Sequence, residues 1–268
     1  MPHPLDSARE RLRRAEENIE SLRREISDFL APVPAVTMDV DFPTRNPIIT
    51  DENRGTYDEL TQFIMTQSVK PRFSVLAGEI IHHLRAAFDH LAWQLSSPVL
   101  QANSPYQIEF PVFDVRPRPC GKCGGANQNK LCRYCRKVEG ITSPTARTRI
   151  ESLQPYKGAN PSRHPLWLIH DMDRIDKHRE LVLTVHIMRV NVQANALFTG
   201  TGQQLPWEVR PRNVRLTGPP QVDVKLKMAA DVTFREFSGR DDDPIIPTLH
   251  NLRCFAVDSI DSFASEFP

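Results

Sequence analysis

The sequence has no long apolar run and no charged-then-apolar leader. A membrane-spanning helix needs roughly 18 or more consecutive apolar residues, and an export signal needs such a leader. We therefore expect a soluble cytoplasmic protein that is not exported and has no membrane partner. Net charge is also nearly absent, because 34 basic and 33 acidic residues give +1. Without a bulk electrostatic attraction, any contact with nucleic acid has to come from a local patch.

Cysteine is scarce and unevenly placed. The chain has five cysteines, and four of them form the pattern C-x2-C-x8-C-x2-C as Cys120, Cys123, Cys132 and Cys135. Two-residue spacing lets both thiolates of a pair bind one ion, and two such pairs supply the tetrahedral sulfur shell that zinc prefers. The compact paired spacing disfavours an Fe–S cluster, and a reducing compartment disfavours two disulfides. The pattern predicts a structural zinc site, since four sulfurs leave no open coordination position.

The stretch from Arg72 to Leu100 is the axis of the predicted fold. Pro71 and Pro98 bracket it, as prolines bracket helices. Its apolar residues recur at helical spacing and form one continuous stripe, which predicts a central helix over residues 72–97. The other side carries residue types that suit a site better than a solvated surface: Glu79, His82, His83, Arg85, Asp89 and His90.

Residues 4–30 show an unbroken heptad register from Leu5 to Phe29. One interpretation is a long helix packed antiparallel on the central helix, and the other is a coiled-coil arm for dimerisation. We favour packing within the chain, because the register stops after about four heptads and its alanines make a thin seam.

The remaining patterns predict an α+β fold. Short elements are expected at 35–42 (strand), 57–66 and 147–153 (helices), with another helix from Pro165 to about Arg179. Alternating apolar residues predict an antiparallel sheet across 181–237, with Trp207 and Val214 in intermediate strands, and Asp241 opens a last helix. The expected architecture is a helical bundle with an inserted zinc knuckle module and a C-terminal antiparallel sheet plus a final helix. Its parts are a helical core (1–118), the four-cysteine module (119–137), the helical core continued (138–180), and the sheet with the final helix (181–268).

Two polar rows, one on each long helix of the core, are expected to meet. His83 and His90 lie about 10 Å apart along the helix axis, too far to share one metal ion. The helix from Pro165 carries Lys177 in its row, which favours ion pairs over a metal shell. We expect a buried network of salt bridges and hydrogen bonds formed by Glu79, His82, His83, Asp89, His170, Asp173, Asp176, Lys177 and His178.

Several blocks resemble a widespread family of uncharacterised bacterial proteins, frequent in actinobacteria. They read GEIIHHLRAAFDHLAWQL, FPVF, IESLQPY and PLWLIHDMDRIDKHREL and lie in the family's order. The family has no established activity to carry over. Within the first block, Arg85-Ala-Ala-Phe-Asp-His90 also resembles the R-x4–6-H motif of HEPN ribonucleases. That resemblance implies a helical bundle, metal-independent RNA cleavage by Arg85 and His90, and a composite site across a two-fold homodimer.

The chemistry fits those two residue types. Cleavage through the RNA 2′-hydroxyl needs a proton acceptor tunable near pH 7, which histidine provides. It also needs a cation against the developing phosphate charge, which arginine provides. The first hypothesis is therefore an HEPN-like RNA endonuclease, acting as a toxin or defence effector. The alternative is a non-enzymatic zinc-containing binding protein, in which the histidine, arginine and aspartate network is structural.

Overall fold

The computed structural model describes residues 3–41, 46–125, 131–196, 222–235 and 243–267. Within these ranges the fold is α+β, with eight α-helices and four β-strands. The helices are α1 (Asp6–Leu30), α2 (Asp51–Thr66), α3 (Pro71–Leu95), α4 (Pro98–Asn103), α5 (Arg133–Lys137), α6 (Pro144–Ser152), α7 (Pro165–Asp176) and α8 (Ile245–Asp261). The strands are β1 (Val36–Asp41), β2 (Asn46–Ile48), β3 (Leu183–Ala196) and β4 (Val222–Phe234).

Helices α1 and α3 run antiparallel, side by side. Ser7 contacts His90, Asn18 contacts Glu79, and Glu25 contacts Arg72, so residue numbers rise along one helix as they fall along the other. The heptad seam of α1 is buried in the main core of the same chain, which also contains residues of α3 and α8. This is the packing that we favoured for the N-terminal helix. The buried positions of the seam are Ala8, Leu12, Ala15, Ile19, Leu22 and Ile26.

Prolines mark the first residues of two predicted helices. Helix α3 begins at Pro71, and α7 begins at Pro165, where the missing N–H costs nothing because the first turn has no intrahelical acceptor. The end of α7 at Asp176 falls short of the predicted end at Arg179. Helix α2 starts at Asp51, earlier than the predicted short helix, because Thr50 forms a capping box with Asn53.

The strands form one antiparallel sheet in the order β2-β1-β4-β3. The prediction of a sheet confined to residues 181–237 is wrong in part, because β4 pairs on its other edge with β1 from the first half of the chain. A second, smaller core lies between the sheet and α2, made of Val36, Met38, Leu60, Leu226 and Met228. The predicted strands around Trp207 and Val214 lie outside the described residues. Helix α8 packs on α1 and α3 within the main core.

Candidate functional site

The four cysteines of the paired motif meet in space. Their Sγ atoms all lie within 4.8 Å of one another, and no other such group of His, Cys, Asp or Glu side chains occurs in the described ranges. A 3-10 turn over Gly121–Cys123 makes the first knuckle, and Gly124 follows it with φ of +89°, a conformation that glycine adopts without strain. Cys132 caps the N-terminus of α5 and so brings Cys135 to the cluster. This arrangement is compatible with one bound metal ion.

The thiols of the cluster differ in acidity, because burial raises the pKa of Cys123 and of Cys135 while Cys120 is shifted the other way. Hydrogen bonding from the Cys132 backbone is the main cause that lowers the pKa of the Cys120 thiol to about 6. This sulfur therefore carries at neutral pH the negative charge that a metal ligand needs.

The cysteine module contacts the segment that precedes it, residues 108–113. Lys137 of α5 forms an ion pair with Glu109, and the ring of Tyr134 lies edge-on to Phe113 with centroids 6.3 Å apart. Arg133 stacks over the same Phe113 ring at 5.8 Å. The segment 108–113 thus connects the module to the helical core.

Arg85 of α3 holds the other side of that segment. Its Nη2 atom donates to the Phe110 carbonyl at 2.9 Å and pairs with Asp89 Oδ1 at 2.9 Å, and that oxygen also accepts the Phe110 N–H at 2.9 Å. The sequence predicts Arg85 on the same polar side as the histidines, but the structure encloses it, with 4% of the residue exposed. Burial raises the pKa of Asp89, against the opposing effects of Arg85 and the Phe110 N–H.

Part of the predicted network between the two polar rows is present around Asp173 of α7, with His82 and Lys177, whose side chains are more than half exposed. This buried carboxylate lies 3.1 Å from His82 Nδ1 and 2.6 Å from Lys177 Nζ. Next to it, Asp176 covers Gly78 so closely that a Cβ atom built there would lie 2.1 Å from the carboxylate oxygen.

Two other histidines of the predicted network have surroundings that differ from those of His82. Burial, and then the charge of Arg85, lowers the pKa of His170, whose ring packs on Trp167. His178, just beyond the end of α7, is exposed to solvent.

The remaining polar residues of α3 face α1, where His83 and His90 line an open groove. Its volume is about 580 Å³. His90 Nδ1 and the Ser7 hydroxyl are hydrogen-bonded, and His83 Nδ1 lies 3.4 Å from Arg11 Nη1. At the far end, Asn18 donates to Glu79 at 3.3 Å. Burial, and next the positive charge of Arg11, lowers the pKa of both His83 and His90.

Sequence reasoning missed the contribution of α1 to this groove. Ser7, Arg11, Arg14 and Asn18 recur at helical spacing beside the heptad seam, and the heptad register alone does not single them out. The signal was available in the antiparallel interpretation, which pairs the start of α1 with the end of the central helix. The structure thus separates the two predicted catalytic residues, with His90 in the groove and Arg85 in the internal network.

No described helix has both the length and the apolar character that a membrane crossing requires. Comparison of the chain with protein-family models, with curated proteins and with solved structures gives no match. The resemblances to the actinobacterial family and to HEPN ribonucleases therefore stay predictions, and function has to be argued from the residues themselves.

Proposed function

We propose that this protein is a metal-independent RNA endonuclease in which His90 transfers the proton. The observation that carries the proposal is the position of His90 in the groove between α1 and α3. Its ring contacts a hydroxyl group and lies among arginines of α1. A histidine with a pKa below its usual range is neutral at pH 7 and ready to accept a proton.

The reaction is transesterification within the RNA strand. The 2′-hydroxyl oxygen forms a bond to the adjacent phosphorus while the bond from phosphorus to the 5′ oxygen breaks. His90 takes the 2′-hydroxyl proton, and the same proton is then available to the leaving 5′ oxygen, so no net proton is consumed. The products are a 2′,3′-cyclic phosphate and a free 5′-hydroxyl. DNA lacks the nucleophile and is expected to resist.

Arg85 enters this proposal as a structural residue. Its guanidinium is buried and bonded to Asp89 and Phe110 of its own chain, which does not support a phosphate contact in the same protomer. The homodimer and the toxin or defence role implied by the HEPN resemblance remain part of the proposal, and sedimentation of the purified protein tests the dimer.

The test is cleavage of single-stranded RNA in the presence of EDTA, with zinc content measured afterwards to show that the cysteine module is intact. We expect cutting of RNA and not of DNA, and loss of cutting in His90→Ala. The matched control is His178→Ala, since His178 is exposed and lies outside the groove. Equal loss of activity in both variants, or no cutting by the parent protein, contradicts the proposal.

A non-enzymatic binding protein is the second candidate function. The network of Arg85, Asp89 and Phe110 favours it, because the motif arginine then has a purely structural use. Under this alternative the zinc module contacts a partner, and the parent protein does not cut RNA.

We infer that the four clustered thiolates hold one structural zinc ion. Tetrahedral sulfur coordination suits zinc, and the module has too few apolar residues to fold as a core of its own. Elemental analysis under reducing conditions should find one zinc per chain. Cys123→Ser should lose that zinc while most of the helical signal remains, and Cys254→Ser should keep it, because Cys254 lies on α8 outside the cluster. Full zinc content in Cys123→Ser contradicts the assignment.

A further inference from the structure

Arg11 differs from the other arginines of α1. Five of them lie within 4.0 Å of a carboxylate oxygen, and Arg11 has no such partner in the part of the chain that the structure describes. The paired residues are Arg9, Arg13, Arg14, Arg23 and Arg24. Pairing with a carboxylate is the ordinary use of an arginine on a helix rich in glutamate. The side chain of Arg11 instead contacts a histidine across the groove.

The position of Arg11 suits an anionic ligand. Residues 7, 11 and 14 of α1 line one wall of the groove, and His83 and His90 line the other. Glu10 also lines the groove, but Arg13 and Arg14 lie against its carboxylate and compensate its charge. At the opposite end, Asn18 lies roughly 10 Å from Arg11 along α1 and contacts the carboxylate of Glu79. The end at Ser7 and Arg11 is therefore the one that favours a phosphate group.

We propose that Arg11 is the phosphate-binding residue of the groove and that, with Ser7 and His90, it forms a phosphodiester site for RNA within a single chain. This inference rests on the proposed function and deepens it. A guanidinium presents several N–H donors in a planar fork that matches phosphate oxygens. Arg11 then supplies the cation that the motif assigns to Arg85, and the site does not need a second protomer to be complete.

The experiment separates binding from cleavage. The probe is a single-stranded RNA oligonucleotide with 2′-O-methyl groups, which keeps the phosphates and removes the nucleophile, and binding is measured by fluorescence anisotropy at several salt concentrations. Arg11→Ala should weaken binding about tenfold or more and reduce the slope of log K against log salt by about 0.7, the effect of one lost phosphate contact. Arg11→Lys should recover part of the affinity because the charge remains.

The matched control is Arg24→Ala. This residue is on the same helix, outside the groove, and its side chain is 72% exposed, so the net charge changes equally and binding should stay within about twofold. Equal losses in both variants mean a non-specific charge effect and overturn the proposal, as does parent-like binding by Arg11→Ala or the absence of binding by the parent. Binding through Arg11 without any RNA cleavage by the parent leaves this site in place and refutes the endonuclease. RNA cleavage that persists in Arg11→Ala leaves the endonuclease in place and refutes this site.

Discussion

Replacing Arg85 with alanine tests whether this motif arginine is structural. The side chain is 5% exposed, and its partner Asp89 is 34% exposed. Removing one member of a buried ion pair costs about 3–5 kcal/mol because the other charge is left unpaired. Since solvent reaches part of Asp89, we expect the lower end, about 3 kcal/mol. With an unfolding entropy of roughly 2 cal/mol/K per residue over 268 residues, that loss lowers Tm by about 5 °C.

The assay is thermal unfolding followed by far-UV circular dichroism, supported by urea denaturation. The control is Arg72→Ala on the same helix, whose ion pair with Glu25 is at the surface and should cost less than about 1 kcal/mol. A double variant, Arg85→Met with Asp89→Asn, should recover part of the loss, because no charge is then left unpaired and the amide oxygen still accepts the Phe110 N–H. If Arg85→Ala melts within about 1 °C of the parent, the structural interpretation is refuted.

Three further outcomes follow from other parts of the fold. Gly78→Ala should lower the free energy of unfolding, measured in urea, by about 1–2 kcal/mol because the new methyl group meets Asp176. Gly55→Ala, whose methyl group enters open space, should raise it by up to about 1 kcal/mol. A higher free energy of unfolding in both variants contradicts the close contact. The rate of RNA cleavage should be constant around pH 7 and fall as the pH decreases through the lowered pKa of His90, since protonation of His90 removes the base. A rate that does not fall on the acid side would indicate a base other than His90. Deleting residues 1–30 should abolish the cooperative melt, because the buried seam contributes on the order of 10 kcal/mol; a monomeric fragment that melts like the parent would identify the seam as a dimerisation surface.

Local periodicity was sufficient to predict the main helices. The seam from Leu5 to Ile26 and the apolar stripe of α3 are both repeats that a single helix displays in its own sequence. The paired cysteines were equally local, since two-residue spacing places both sulfurs of a knuckle together without help from the rest of the chain. These parts of the fold could be predicted because the residues that decide them are close in sequence.

The burial of Arg85 could not be predicted in this way. Its acceptor is the carbonyl of Phe110, 25 residues away, in a segment without a regular pattern. A helical projection assigns a direction to each side chain but does not show what covers it. The pairing of β1 with β4 could not be predicted for the same reason, because Val36 and Met228 belong to opposite ends of the chain. Long-range contacts decide both features, and no periodicity encodes them.

The separation of Arg85 from His90 gives a last test of how α3 works. The two residues lie about 140° apart around one helix, so the internal network and the groove are on different sides of a single rigid element. Asp89 belongs to the network and directly precedes His90, but the packing of α3 on α1, α7 and α8 also holds the helix in place, so loss of the network should leave His90 in the groove while the protein is folded. Arg85→Ala should then cut RNA at nearly the parent rate well below its melting temperature and lose activity only as it unfolds, whereas Arg11→Ala should be impaired at every temperature. Initial rates at 10 °C and near Tm, corrected for the folded fraction, distinguish these patterns. If Arg85→Ala is folded but inactive at 10 °C, the motif arginine takes part in the reaction, and the composite site of a dimer is favoured.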